Sequence, residues 1–175
     1  MKEKIKFTFF KSLRFRIMVI LVVIGIVPSF IVKNVVVNSY ETRAVSIREV
    51  NLKNQCDILG NQLMKENYLR EPDSDVINGE LSMLSAIYNG RILIINKDAK
   101  IIKDTYDIDV GKYALSEEVI QCFEGKSTAN YDDKNAYIEM TSPITKMDSN
   151  TIEGVMLVSI STSEIEDSID MLENR

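Results

Sequence analysis

Residues Ile17–Val32, IMVILVVIGIVPSFIV, contain no charged side chain, and they follow directly on a strongly basic stretch. This pairing constrains the chain more than any other feature. Sixteen helical residues rise roughly 24 Å, a little short of a bilayer core of about 30 Å. Lys33 can snorkel its ammonium to the interface while Val35, Val36 and Val37 extend the apolar surface. The expectation is one transmembrane helix over 17–37. Gly25 and Pro28 are tolerable in such a helix, and Pro28 is where it would kink. Before it, Lys2, Lys4, Lys6, Lys11, Arg14 and Arg16 stand against only Glu3, a local balance of +5. Positive charge before the span orients residues 1–16 to the cytoplasm and 38–175 to the outside of the cell membrane. A cleaved signal peptide is the rival reading, disfavoured because no A-x-A-like site follows. A buried helix of a soluble core is a second alternative. No later run is long enough for another span, since Val155–Ile160 has strand length.

The net charge of the whole chain is −5, so the part after residue 16 carries −10. This acidic balance argues against a nucleic-acid partner. There is no histidine at all, which removes Ser-His and Cys-His nucleophile pairs, His-ligated metals and any phospho-acceptor imidazole. Two cysteines cannot build a four-cysteine zinc site. No cofactor motif is present.

Beyond the span, Val45, Leu52, Cys56, Leu59 and Leu63 form a helical seam, so 38–69 reads as a long helix continuing out of the membrane. The seam could pack on a sheet or pair with a second copy. Pro72 disfavours helix at Glu71. Asp73 or Ser74 can cap a second helix with Val76, Ile77, Leu81, Leu84, Ile87 and Tyr88 on its apolar side, ended by Asn89-Gly90. The period then changes to that of strands: 91–95, 100–105, 127–131, 136–144 and 152–161. Turns at 96–99, 132–135 and 146–150 separate them. Ser116 suits a helix cap before Glu117 and Glu118, with Val119, Ile120, Cys122 and Phe123 apolar and Gly125 as the stop. Thr162 or Ser163 caps a final helix through about Asn174. The order implies an α+β fold: one five-stranded antiparallel sheet with flanking helices, over 38–161.

These elements resemble a known family. The basic N-terminus, the anchor, the long helix and Arg91–Ile102 (RILIINKDAKII) together look like the input half of a bacterial sensor histidine kinase, most of all a Gram-positive one. The exported part resembles its PAS-like (PDC, or single Cache) sensor domain. In that family two apolar strands flank an Asn/Asp-x-Asp-Gly-type turn; Ala99 stands here where glycine is usual. Val119–Lys126 resembles the family's helix ending in glycine, and 136–143 with 154–160 its final hairpin. The resemblance implies signal transduction in a two-component system. It implies a homodimer through the membrane and long helices, and a response regulator reached through a kinase half. Residues 162–175 would form an exit helix leading toward a second membrane helix outside this chain. The input half of a chemotaxis receptor or of a cyclic-dinucleotide enzyme would look the same. A pilin-like surface protein is less compatible: with Phe7 as first mature residue, Lys6 and Lys11 replace the required Gly and Glu.

Four residues, Arg91, Asp104, Tyr131 and Tyr137, are the candidates for a small-molecule pocket, because the resembled family places ligands on the sheet. The resemblance does not imply an amino-acid ligand, since the Arg-Trp-Tyr signature of double Cache sensors is absent from a chain with no tryptophan. Asp104, Asp107 and Asp109 could attract a divalent cation, but their spacing is not that of an EF-hand, and a solvated acidic loop is the favoured reading. Cys56 and Cys122 would face an oxidising side and could pair. Each lies on an apolar helical face, where a free thiol behaves as a small hydrophobe, and this reading is preferred.

Overall fold

The computed structural model describes residues 13–173 apart from Met147 and Asn150; the basic residues up to Lys11, part of the 146–150 turn and residues 174–175 lie outside it. A single helix, α1 (Leu13–Lys65), carries the apolar run and continues unbroken through Pro28 into the folded part. It is the one helix among the described residues long and apolar enough to cross a membrane, with a mean hydropathy of 2.6 over its best window. None of that window is buried by protein, which removes the soluble-core alternative: a core helix would be covered.

The helix ends at Lys65, four residues before the expected 69. The cause is a Schellman closure, not Pro72. Asn67 adopts φ 56°, its N–H donates to Met64 O at 3.2 Å, and Tyr68 N–H donates to Leu63 O at 3.0 Å. Tyr68 and Leu63, both fully buried, supply the accompanying apolar contact. Helix α2 (Asp75–Ile87) starts at Ser74, whose Oγ accepts from Ile77 N–H at 3.4 Å. Ile77 and Leu81 are its buried stripe, while Val76 and Ile87 are 63% and 57% exposed. The expected apolar side was therefore too wide.

The sheet comprises β1 (Gly90–Asn96), β2 (Ile101–Asp104), β3 (Ala129–Asp132), β4 (Tyr137–Thr145) and β5 (Ile152–Ser161). Its order is β2-β1-β5-β4-β3, with all four pairs antiparallel. Between β2 and β3 lies α3 (Glu117–Phe123); after β5 comes α4 (Ser163–Glu173). Alternation along the strands separates two cores. Ile92, Ile94, Ile138, Met140, Met156, Val158 and Ile160 point to one face, where they meet Leu52, Cys56, Leu59 and Leu63 of α1, Ile77 and Leu81 of α2, and Ile165 of α4. The α1 seam is thus used against the sheet. Leu93, Ile95 and Val155 point to the other face, under Val119 and Cys122 of α3.

Three local expectations need correction. Ser116 sits at the α3 N-cap in extended geometry but makes no side-chain capping bond, and the Oγ1 of Thr162, ahead of α4, is buried without a partner. In both cases backbone geometry starts the helix without help from the hydroxyl. Ile120 is half exposed, because α3 turns Val119, Cys122 and, in part, Phe123 toward the sheet. Ala99 keeps the turn that glycine usually makes by adopting φ 58°, while the Asn96 side chain accepts from Asp98 and Lys100 N–H, both at 3.0 Å. Gly154 is needed for close approach: a Cβ there would lie 2.6 Å from Ile95 O.

Candidate functional site

On the sheet face away from α1, antiparallel register aligns Arg91 with Ser159 and Ser159 with Glu139. Ser159 Oγ donates to Glu139 Oε2 at 3.2 Å. Arg91 turns the other way, toward β2. Its Nε donates to Asp104 Oδ1 at 2.9 Å, and its Nη2 donates to Asp104 Oδ2 at 2.5 Å and Asp109 Oδ2 at 2.6 Å. Such a bidentate fork is the strongest arrangement available to a guanidinium and a carboxylate.

Asp104 is fully buried, which corrects the reading of 104–109 as a solvated acidic loop. After β2 the chain folds back, with Asp107 at φ 55°, so that three backbone N–H groups converge on the carboxylate. Tyr106 donates to Oδ1, and Ile108 and Asp109 donate to Oδ2, each at 2.9 Å. Burial acts to raise the Asp104 pKa, but the Arg91 bonds and these backbone donors outweigh it and hold the carboxyl well below the usual carboxylate range. Asp104 likewise pushes the Arg91 guanidinium above its ordinary value, with Asp109 adding to the effect. Asp109 is held low by Lys112, 2.5 Å away, and by Arg91. Asp107 is exposed and reaches only Lys103, at 3.6 Å.

The cluster is therefore a set of fixed charges. It holds no group able to shuttle a proton near neutral pH, and the chain has no histidine. Among the described residues, no group of three or more Cys, Asp or Glu side chains is placed to hold a metal ion. What the cluster does physically is pin the 105–112 segment beside β2. That segment and its continuation present Tyr106, Ile108, Val110, Tyr113 and Leu115 to solvent, each at least half exposed.

Of the four residues singled out from the sequence, the structure brings Arg91 and Asp104 together. Tyr137 shares their sheet face, by alternation with buried Ile138, but lies on β4, where the charge of the Asp132 carboxylate raises its pKa. Tyr131 is on the opposite face, donating to Glu41 Oε1 of α1 at 3.0 Å. The four do not line one pocket. Cys56 belongs to the α1 core and Cys122 to the α3 core, on opposite sides of the sheet, and both are free. Burial pushes the Cys56 thiol up to about 12, with nearby Asp57 adding to it, and burial also raises Cys122.

Sequence reading missed a second cluster, where α1, α2 and α4 meet. Arg48 of α1 donates through Nη1 to Glu164 Oε2 of α4 at 3.0 Å. Its guanidinium carbon lies 5.6 Å from the Tyr88 ring centroid, just past α2. Val45 and Ile165 join the same core beside it. Nothing in the sequence could pair residues 116 positions apart.

No protein-family model and no curated protein matches the chain. Solved structures do. The extracellular domain of the candidate histidine kinase vpHK1S-Z8 superposes with a TM-score of 0.58 at 12% identity, covering 82% of this chain and 63% of that one. The sensory domain of the Campylobacter jejuni chemoreceptor Tlp3 superposes at 0.50 and 13% identity, covering 75% and 60%. The chain thus spans less than two thirds of either domain. It has the PAS-like α+β fold of bacterial sensory domains, carried on a helix apolar enough to span a membrane.

Proposed function

We propose that this chain is the membrane-anchoring and extracytoplasmic sensing part of a receptor, with a two-component histidine kinase as its output. The observation that carries the reading is the side-by-side packing of α1 and α4 on one sheet face, joined by Arg48 and Glu164. The anchor helix arrives from the membrane and α4 leaves from the end of β5, so any change in sheet shape displaces one against the other. Packed helices shift between discrete arrangements, and such a shift can cross a bilayer. Residues 1–16 would be cytoplasmic and the sheet domain outside. Tyr40, Ile47, Val50 and Ile58, exposed on α1, offer the surface for a homodimer, and a response regulator would be reached through the kinase half. The signal is an unidentified one outside the cell. A chemoreceptor output is the second reading, supported by the superposition on Tlp3.

The test is a chimera in which residues 1–175 replace the first membrane helix and the sensory domain of a well-behaved histidine kinase that keeps its own second membrane helix, reconstituted in nanodiscs. Arg48→Ala is expected to shift basal autophosphorylation at least threefold without loss of folded protein. Unchanged output from Arg48→Ala, and from one-residue insertions after α4 that rotate the following membrane helix by about 100° relative to it, would refute transmission through this helix pair.

A further inference from the structure

A cleft of about 510 Å³ opens at the far end of α1, between the Schellman turn and two strand connections. It lies at the opposite end of β1 from Arg91. From Val37 to Leu63 the helix climbs about 39 Å, so the cleft is the pole farthest from the apolar run. Leu63 and Leu69 form its apolar floor. Gly154 permits this floor, since Leu69 packs 3.2 Å from where its Cβ would sit.

Three cations ring the cleft: Arg70 from the turn after α1, Lys97 from the β1–β2 turn and Lys146 from the β4–β5 connection. All three are exposed and described, and none is in an ion pair among the described residues. Asp98 and Glu153 also line the cleft, leaving a local excess of one positive charge. In a part of the chain that carries −10 overall, a concavity lined by three cations and two carboxylates has the opposite sign of charge. The cations come from three separate connections, so no single helix or turn geometry explains their convergence. A volume of this size matches that of small-molecule sites, which combine an apolar floor with a few convergent polar groups.

We propose that this cleft binds a small oxyanion-bearing solute of two or more negative charges, with Arg70 as the planar fork and Lys97 and Lys146 as point charges. The shared chemistry is clustered anionic oxygen, as in a phosphate ester or a polycarboxylate. With a local excess of one positive charge, the cleft attracts a dianion about twice as strongly as a monoanion of the same size. Binding in this cleft does not depend on the sensor reading.

The experiment is calorimetric titration of the full chain in nanodiscs of neutral lipid, at fixed ionic strength. The probes are inorganic pyrophosphate and citrate, with acetate as a monoanion control. Saturable one-to-one binding of pyrophosphate or citrate, but not of acetate, is expected, and the two arms decide between phosphate and carboxylate ligands. Arg70→Gln, Lys97→Gln and Lys146→Gln should each weaken it by about threefold, and the triple variant by at least tenfold. Lys126→Gln, a cation on another surface, should leave it unchanged. All are exposed positions, and unfolding temperature checks each fold; Lys97→Arg should restore affinity if charge is what matters. Absence of saturable binding, or binding equal in wild type and triple variant, overturns the proposal.

Discussion

The Arg91–Asp104 pair offers the sharpest energetic test. Asp104→Ala removes two bonds from Arg91 and three from backbone N–H groups. The Tyr106, Ile108 and Asp109 N–H bonds are part-buried, at a segment whose Tyr106 and Ile108 are 51% and 61% exposed, so the segment can open to hydrate them. The loss then falls mainly on the ion pair and on order in the 105–112 segment. Arg91 is 26% exposed and regains some hydration, which places the cost near the lower end for a broken buried pair, about 3 kcal/mol. For a domain of this size that lowers Tm by roughly 10–15 °C. The assay is thermal unfolding of the full chain in nanodiscs, followed by circular dichroism. Arg91→Ala should cost a similar amount, because it strands the Asp104 carboxylate. The double variant should cost little more than either single one, a coupling of about 2 kcal/mol. A Tm drop under 3 °C for Asp104→Ala, or strict additivity in the cycle, would refute the pinning of the 105–112 segment by this cluster.

Further expectations follow from the same structure. The folded-state pKa of Asp104 is depressed below its unfolded value of about 3.9; its contribution is therefore full above pH ~4 and is lost as pH falls through the folded pKa, so the Tm of wild type should converge on that of Asp104→Ala only in strong acid. Ala99→Gly relieves a left-handed alanine at φ 58° and should stabilise by about 0.5–1 kcal/mol by chemical denaturation; destabilisation would mean the turn differs. Both thiols should react slowly with a thiol reagent at pH 8 in the native protein, and two should titrate after unfolding without reductant; fewer than two would indicate a disulfide. Arg48→Ala should cost only about 1 kcal/mol by chemical denaturation, since Glu164 is 74% exposed and the pair is screened, so the variant stays folded in the chimera.

Periodicity made the local elements legible. The seam of α1, the three hairpin turns and the five strands all follow from spacing and turn chemistry. Strand order did not, because β1 pairs with β5 across about sixty residues, and no local rule supplies that register. The candidate site was half readable. Arg91 and Asp104 flank one hairpin, so facing strands bring them together. Tyr131 and Tyr137 parted because they sit on opposite faces once β3 pairs with β4. The run Asp104–Asp109 reads as solvated because its charges alternate with apolar residues; only the chain reversal and the arginine opposite bury the first of them. Arg48–Glu164 and the distal basic cleft are products of tertiary packing and have no sequence signature.

The measurement that bears most directly on the sensor account is topological. A single exposed cysteine at Ser127, on the connection before β3, is introduced into the full chain in living bacteria, with the two buried native thiols left in place as a silent background. The account predicts labelling by a membrane-impermeant maleimide in intact cells, absent from the wild type. Labelling only after the membrane is opened would place the sheet domain in the cytoplasm and contradict it.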